Sequence, residues 1–287
     1  SFLMLFTDTG RVHQIKAYRV PEAGRTAKGS NIVNIIEVTP EEKITAMISV
    51  PDYSNIAVDE EYDDKNYLVM VTQRGVVKRT RLSEFAIKRK GGKIALSLDE
   101  GDELMFVKCT DGSCDLVLAS HDGSAIRFSE ENVRCMGRNA RGVRGIKLNE
   151  GDYLVDVACD SDGSQVLTVT DNGYGKITPT EDYTEHHRGS TGVTGHAVTD
   201  KTGPVKAIMC VNGDEDVMMI ASNGVIIRTG VEAIRVCGRA SQGVRLMRLS
   251  DDVKIISITR ALKEDEEDVS EIAETAENTE ATETAEE

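Results

Sequence analysis

One sequence module is repeated five times along this chain, and the repetition limits the folds that the chain can adopt. Each module has a turn built around a glycine, at Gly10, Gly75, Gly123, Gly173 and Gly224. An arginine within a glycine-rich run follows these glycines after 15, 14, 15, 15 and 15 residues. A period of about fifty residues is typical of repeat architectures in which neighbouring units close a shared core.

Each module reads as a set of short β-strands. In the third module, the apolar runs 115–120 and 124–128 flank Asp122-Gly123, a strong hairpin signal because such a turn needs residues at positive φ. A further strand follows near 153–158, and a serine before acidic residues at Ser129 predicts one short helical turn after the hairpin. About four strands per module predict blades arranged as in a propeller, with an open solenoid as the competing architecture.

Basic residues recur at fixed positions of the module. We call the five glycine-rich runs the Gly-Arg loops: loop 1 (24–29), loop 2 (88–92), loop 3 (137–142), loop 4 (187–192) and loop 5 (238–243). The predicted contacts in or beside these loops are Arg25, Lys28, Lys88, Arg89, Lys90, Lys93, Arg138, Arg141, Arg144, Arg188, Arg239 and Arg245. A second set of predicted contacts stands at the third or fourth position after a turn glycine: Lys78, Arg79, Arg127, Lys176 and Arg228.

A radial arrangement of the modules would place these cations along one rim. Such a rim suits a polyanion that is held through its phosphates and bent around the edge. Two structural interpretations compete with this one. Glycines permit tight loops between blades whatever the function, and a charge on an edge strand guards against unwanted strand pairing.

The net charge of −15 is unevenly distributed. Of the 49 acidic residues, 12 lie between Glu264 and Glu287, where no basic residue occurs, so the remaining 37 stand against 34 basic residues. Residues 263–287 are predicted to be a disordered acidic tail, since they contain too few large apolar residues to offset the entropy of ordering. Residues 51–66 are predicted to be a polar insertion loop within a repeated domain that covers 1–262.

Several classes of protein are not indicated by the sequence. No run of about 18 apolar residues and no leader is found, so we expect a cytoplasmic protein with no membrane contact. The six cysteines form no CxxC pair and have no histidine at ligand spacing, so we expect no metal site. No phosphate-binding GxxxxGK[ST] loop and no catalytic constellation is present, so we expect no catalytic residues on this chain.

Four strings carry a resemblance to a known family. They are Phe6-Thr-Asp-Thr-Gly-Arg-Val12, Pro21-Glu-Ala-Gly-Arg-Thr-Ala-Lys-Gly29, Gly137-Arg-Asn-Ala-Arg-Gly-Val143 and Gly238-Arg-Ala-Ser-Gln-Gly-Val-Arg245. With them, residues 1–262 resemble the C-terminal domain of the A chain of bacterial DNA gyrase and that of its topoisomerase IV paralogue. The family's box of the pattern Gln-Arg-Arg-Gly-Gly-Lys-Gly is not intact here. One near match, Lys88 to Lys93, lacks the final Gly of this pattern because Ile94 follows Lys93.

The resemblance implies a fold and a function. The implied fold is an all-β, six-bladed β-pinwheel whose blades exchange strands, and we expect it to be incomplete at the N-terminal blade, with the front half of that blade upstream of Ser1. The implied function is non-catalytic binding and wrapping of duplex DNA in support of ATP-dependent negative supercoiling. The implied partners are DNA, the rest of the gyrase A polypeptide (GyrA) and the separate ATPase polypeptide of gyrase (GyrB). ATP and Mg²⁺ are expected elsewhere in the holoenzyme, with no cofactor on this chain, and the location would be the nucleoid.

Two other functions remain open at this stage. The chain could be the equivalent C-terminal domain of topoisomerase IV, or a propeller that binds another protein on its disc face.

Overall fold

The computed structural model describes residues 1–24, 26–50, 66–86 and 92–261, and these residues form five small antiparallel β-sheets. The insertion loop 51–66, apart from its last residue, and the acidic tail 263–287 lie outside the described residues. Within the described residues, none of the helices has the length and apolar composition needed to cross a lipid bilayer.

The sheets are the blades of a propeller-like fold, one for each sequence module. Blade 1 contains β1 (Phe2–Thr7), β2 (Arg11–Lys16), β3 (Ile44–Val50) and β6 (Lys93–Ile94). Blade 2 contains β4 (Tyr67–Thr72), β5 (Val76–Arg81), β7 (Leu104–Thr110) and β10 (Val143–Arg144). Blade 3 contains β8 (Asp115–Ser120), β9 (Ser124–Ser129), β11 (Leu154–Cys159) and β14 (Val193–Thr194).

The last two blades follow the same plan. Blade 4 contains β12 (Gln165–Thr170), β13 (Tyr174–Pro179), β15 (Val205–Val211) and β18 (Val244–Arg245). Blade 5 contains β16 (Asp216–Ala221), β17 (Ile226–Gly230) and β19 (Ile255–Ala261). The short 3₁₀ turns are Ala17–Arg19, Ile32–Asn34, Leu82–Phe85, Glu130–Asn132, Asp160–Asp162, Thr180–Asp182 and Val231–Ala233.

Blades 1 to 4 each take their outermost strand from the next module. These edge strands, β6, β10, β14 and β18, are two residues long and follow a Gly-Arg loop directly. In blade 2, for example, Val143 pairs with Val77 and Arg144 pairs with Val76. Each module therefore builds most of its own blade, and in modules 2 to 5 the strand after the Gly-Arg loop is anchored on the blade before it.

The core lies between the blades. Along β4, Leu68 and Met70 pack against blade 1, whereas Val69 and Val71 pack against blade 3. Successive side chains of a strand point to opposite faces, so a strand with a blade on either side must be apolar at every position. The continuous apolar runs of the sequence follow from this arrangement. The outer face of blade 1 is covered by its own segment, where Ile36 packs on Leu5 and Ile15.

The hairpin prediction is confirmed at all five turns. The turn glycines have φ between 76° and 90°. At Gly123, a Cβ atom would also lie 2.4 Å from the carbonyl oxygen of His196, so glycine is required by both the backbone conformation and the close approach of the segment after loop 4. The predicted short turn after the hairpin is present in blade 3, where the Ser129 side chain accepts a hydrogen bond from the Glu131 amide.

The expectation of six blades is wrong for the described residues, which form five. Each blade needs its own hairpin, and the chain has five turn glycines, so the count of modules rather than the resemblance gives the number of blades.

The expectation that the N-terminal blade would be incomplete is also wrong. Blade 1 has all four strands, and blade 5 is the three-stranded one. The reason is strand exchange: the edge strands of blades 1 to 4 come from the following module, and within the described residues no such strand pairs with blade 5.

Candidate nucleic-acid interface

The Gly-Arg loops that the structure describes in full on the later blades follow one another in space. The Ser97 amide, just after loop 2, donates to the Ala140 carbonyl of loop 3 at 3.2 Å, and the Ser97 hydroxyl donates to Asn139 O at 2.8 Å. The Lys147 amide, after loop 3, donates to Ser190 O of loop 4 at 2.8 Å. The Ala197 amide, after loop 4, donates to Ser241 O of loop 5 at 3.2 Å. Loops 3, 4 and 5, together with the segments that follow loops 2, 3 and 4, therefore form one continuous edge.

The central arginines of loops 4 and 5 join neighbouring blades. Arg188 donates through Nε to Asn132 O at 2.8 Å and through Nη1 to Arg144 O at 3.3 Å. Arg239 makes the same pair of contacts one blade later, to Asp182 O at 3.3 Å and to Thr194 O. All four acceptors are neutral carbonyls, so these contacts fix the guanidinium groups without neutralising their charge.

Most of the other predicted loop cations are exposed. Lys28, Arg141, Arg144 and Arg245 are exposed, while Arg138 and Lys93 are half-buried. Arg141 forms an ion pair with Asp99, yet 68% of its side chain remains accessible. An exposed pair of this kind contributes little to stability and can exchange its carboxylate for another anion.

Arg245 and Lys93 are attached to their own surroundings. The Arg245 Nη2 lies 2.8 Å from the Tyr174 hydroxyl, and its guanidinium carbon lies 5.4 Å from the centre of that ring. Lys93 Nζ lies 3.5 Å from Phe85 O.

The strand arginines are engaged by neighbouring protein groups, and Arg127 also donates to Thr180 O of the next module at 3.0 Å. Arg127 and Arg228 form ion pairs at 2.7 Å with Asp115 and Asp216, which lie diagonally across the hairpin. Arg79 donates to Gly112 O at 3.1 Å and lies over the Tyr67 ring at 4.8 Å. A role for these three in phosphate binding stays a prediction, and the first two carry a compensating carboxylate.

Two predicted rim residues do not lie on the surface. Lys78 and Lys176 are completely buried, and their ammonium groups donate to backbone carbonyls of the Gly-Arg loops. A rim position was predicted for both because they stand three residues after a turn glycine, next to the position that holds Arg79, Arg127 and Arg228 in their modules. The strand period instead directs the residue three after the turn glycine inward, beneath the next module's loop.

Four predicted contacts, Arg25, Lys88, Arg89 and Lys90, lie outside the described residues. Two exposed arginines were missed. Arg134 and Arg235 precede loops 3 and 5, and both stand eleven residues after a turn glycine, so the repeat itself contained the signal.

One cluster has the composition of a metal site. His121, Asp122 and Asp152 bring a ring nitrogen and two carboxylates within 4.8 Å of one another at the blade 3 hairpin. Asp152 Oδ1 accepts the amides of Asp122 and Tyr153, just as Asp102 Oδ1 in blade 2 accepts those of Arg74 and Glu103. Because the carboxylate has the same task in both blades, its position is explained by turn geometry.

Comparison with known proteins identifies the family. The model described as "DNA gyrase C-terminal domain, beta-propeller" matches residues 1–51, 66–111, 115–159, 164–212 and 215–261, one segment for each blade. The A polypeptide of DNA gyrase (GyrA) from Staphylococcus aureus strain NCTC 8325 / PS 47 is 44% identical over 265 residues, which cover 92% of this chain. The chain spans 29% of the length of that relative.

Two solved structures share the fold. A DNA gyrase A C-terminal domain superposes with a TM-score of 0.77 at 25% identity, covering 91% of this chain and 82% of the other. The C-terminal domain of a DNA topoisomerase IV superposes with a TM-score of 0.81 at 24% identity, covering 97% and 84%. The second likeness supports the fold alone.

Proposed function

Since this chain belongs to the DNA gyrase C-terminal domain family, we propose that it is a non-catalytic domain that binds duplex DNA through the phosphate backbone and bends it along the Gly-Arg loop edge. The observation that carries the proposal is the continuity of that edge. Loops 3, 4 and 5 each contact the segment that follows the preceding loop, and Arg188 and Arg239 are held by carbonyls that leave their charge uncompensated.

The geometry favours backbone binding over base reading. The described cations of the edge project from short loops and two-residue edge strands, whereas base reading uses a helix or a β-ribbon that enters a groove. One loop per blade offers phosphate contacts at regular intervals, and each contact releases condensed counterions. A duplex that follows successive blades must bend, and the bending energy is repaid by the added contacts.

The role of the domain in a larger enzyme is part of the same proposal. We assign it to a type II topoisomerase, as part of GyrA working with the ATPase GyrB in the bacterial cytoplasm, where the bent DNA would serve negative supercoiling. ATP and Mg²⁺ would act on other parts of that enzyme. Gyrase is favoured over topoisomerase IV because the 44% identical relative is a gyrase polypeptide. The nearly equal fold likeness to topoisomerase IV keeps that paralogue as the second candidate.

The test is a salt titration of duplex binding by the 287-residue chain. The logarithm of the affinity should fall linearly with the logarithm of salt concentration, with a slope of about −0.9 for each phosphate contact. The double substitution Arg141→Ala with Arg144→Ala should flatten the slope by up to about two such contacts and weaken binding to unrelated sequences alike.

The matched control is Lys43→Ala, which removes an exposed cation outside the Gly-Arg loops and should leave the slope unchanged. Absence of duplex binding at about 50 mM salt would contradict the proposal and favour a protein-binding propeller. Loss of binding to one sequence only would contradict recognition through the backbone.

A further inference from the structure

The two buried lysines lie beneath two of the Gly-Arg loops. Lys176 Nζ donates to Gly238 O at 3.0 Å, to Ser241 O at 2.9 Å and to Arg239 O. These acceptors all belong to loop 5. The three protons of the ammonium group are thereby matched by three carbonyls of one loop.

Lys78 has the same position under loop 3. Its Nζ donates to Arg138 O of that loop and, at 2.6 Å, to Ala95 O at the end of the preceding segment. Neither lysine forms an ion pair within the described part of the chain, so both ammonium groups are held mainly by backbone carbonyls, with the Ser241 hydroxyl 3.4 Å from Lys176 Nζ. A buried ammonium group is tolerated only when its donors are satisfied, which makes the loop conformation and the lysine mutually dependent.

The ends of each loop are fixed separately from its middle. At the entrance of loop 3, the Met136 amide donates to Arg79 O at 2.8 Å, and at its exit Val143 pairs with Val77. Lys78 stands between these two anchors on β5. Loop 5 repeats the plan, with the Cys237 amide on Ile177 O at 2.8 Å, Val244 paired with Gly175, and Lys176 between them on β13.

Loop 4 has both anchors and lacks the lysine. The His186 amide donates to Arg127 O at 2.8 Å and Val193 pairs with Ala125, but the residue between those anchors is the buried Ile126. Loop 4 also begins with His187, whereas loops 3 and 5 begin with Gly-Arg. The lysine therefore accompanies one type of loop and is absent beneath the other.

We propose that Lys78 and Lys176 are positioning residues, which shape loops 3 and 5 from inside so that the arginines of those loops meet DNA phosphates. The proposal rests on the proposed function for the identity of the ligand. The bracing itself is a property of the free domain. Both lysines are fully buried, so they do not contact DNA themselves. They act through their hydrogen bonds to the loop carbonyls on the inner side of the loops.

Titration of the lysines provides a readout that a purely structural side chain would lack. Burial, together with the nearby Arg138, lowers the pKa of Lys78 to about 8, against the opposing effects of Glu84 and Cys135. Above this pH the group loses its charge and one of its donors, so its hold on the loop weakens.

The pKa of Lys176 is lowered in the same way as that of Lys78. Burial lowers its pKa to about 8, with Cys237 opposing and Arg239 adding to the shift, and the neighbouring His196 is kept neutral by its own lowered pKa. DNA affinity of the wild-type chain should therefore fall as pH rises through about 8.

The first experiment is independent of DNA. Lys78→Met and Lys176→Met are made in the 287-residue chain, with Ile126→Met as the matched control at the equivalent position of blade 3. At about pH 7, trypsin should cleave after Arg239 about tenfold faster in Lys176→Met, and after Arg138 or Arg141 about tenfold faster in Lys78→Met. Cleavage after Arg188 in loop 4 should not change. Unchanged cleavage in loops 3 and 5 would overturn the proposal.

The second experiment measures DNA affinity across pH. Between about pH 7 and about pH 9.5, the affinity of the wild-type chain should fall about tenfold more than that of the Lys78→Met, Lys176→Met double variant. Parallel pH profiles would overturn the positioning role. If the wild-type chain failed to bind DNA, the proposed function would fall, while the trypsin result would still decide whether the lysines brace the loops. Ile126 is buried at the equivalent position of blade 3, so a blade can hold an apolar side chain at the position of Lys78 and Lys176. Circular dichroism checks that each variant is folded.

Discussion

At the scale of single residues, His196 departs from the pattern of its repeat. The equivalent positions in the other modules are Leu96, Ile146 and Met247, all buried, and each backbone amide donates to the carbonyl of a turn glycine, as that of His196 does. His196 is 1% exposed, and neither of its ring nitrogens has a hydrogen-bond partner among the described residues. An imidazole without partners in an apolar site costs stability.

His196→Met should therefore stabilise the domain. We expect a gain of about 1–3 kcal/mol in the free energy of unfolding at pH 7, because the substitution removes two unsatisfied polar atoms and introduces the residue type that module 5 has at the equivalent position. Urea denaturation of both proteins measures the difference. A loss of stability would show that the imidazole has a partner that the structure does not reveal.

The same substitution should change the dependence of stability on pH. Burial lowers the pKa of His196 to about 4, and the nearby Lys176 adds to the shift. The histidine of the unfolded chain binds its proton near pH 6.5, so wild-type stability is complete above that pH and declines as pH falls from 6.5 towards 4. The advantage of His196→Met should grow over this range, by up to about 3 kcal/mol. An advantage that is constant between pH 7 and pH 4 would contradict the assignment.

Residue-level prediction from the sequence succeeded where a residue's role depends on local backbone conformation and failed where it depends on burial in the tertiary structure. Turn glycines such as Gly123 have a local signature, since positive φ and an Asp-Gly pair are readable without tertiary structure. Lys78 and Arg79 look alike in sequence, but one is beneath a loop and the other lies over Tyr67. The difference depends on which face of β5 meets the next module, and strand exchange is not visible in the pattern of a single module.

At the scale of elements, each two-residue edge strand forms a joint between neighbouring blades, because it continues its own module while pairing with the preceding blade. They are too short to show any period in the sequence, so the repeat pattern alone predicts about four strands per module and does not show that one of them belongs to the preceding blade. Their register depends on the glycine that precedes them. Gly142 has φ 91°, and a Cβ atom there would lie 2.7 Å from Val77 O and 2.9 Å from a Val76 methyl group.

Gly142→Ala should disrupt the joint between blades 2 and 3. The positive φ and the collision with a backbone carbonyl together predict a loss of about 2–4 kcal/mol in the free energy of unfolding, measured by urea denaturation. Gly137→Ala is the control in the same loop, because a Cβ atom there has no neighbour within 4 Å and the backbone is not at positive φ. An equal loss in both variants would mean that loop 3 as a whole is sensitive and that the joint has no special role.

At the scale of the whole molecule, the sequence predicted the repeat, the all-β class and the number of modules, because each depends on a signal that recurs five times. The resemblance supplied the expectation of six blades, and the count of turn glycines proved the better guide. The continuous edge could be predicted in outline only. Its order depends on contacts such as Lys147 to Ser190, which join residues of different modules.

Charge is also arranged at this scale, and it leads to a final prediction. Residues 264–287 hold 12 of the 49 acidic residues and no basic one, so they are the part of the chain that most repels a polyanion or competes with it for the cations of the edge. Deleting Glu264–Glu287 should strengthen duplex binding by about three- to tenfold at about 50 mM salt, and the gain should shrink as salt screens the interaction. Fluorescence anisotropy of a labelled duplex measures both effects.

A tail of unchanged length with its acidic residues replaced by Gln and Asn is the matched control, and it should reproduce the deletion if charge is the cause. A gain that appears on deletion but not with the neutral tail would instead assign the effect to the bulk of the segment, and equal affinity of all three proteins would contradict competition altogether.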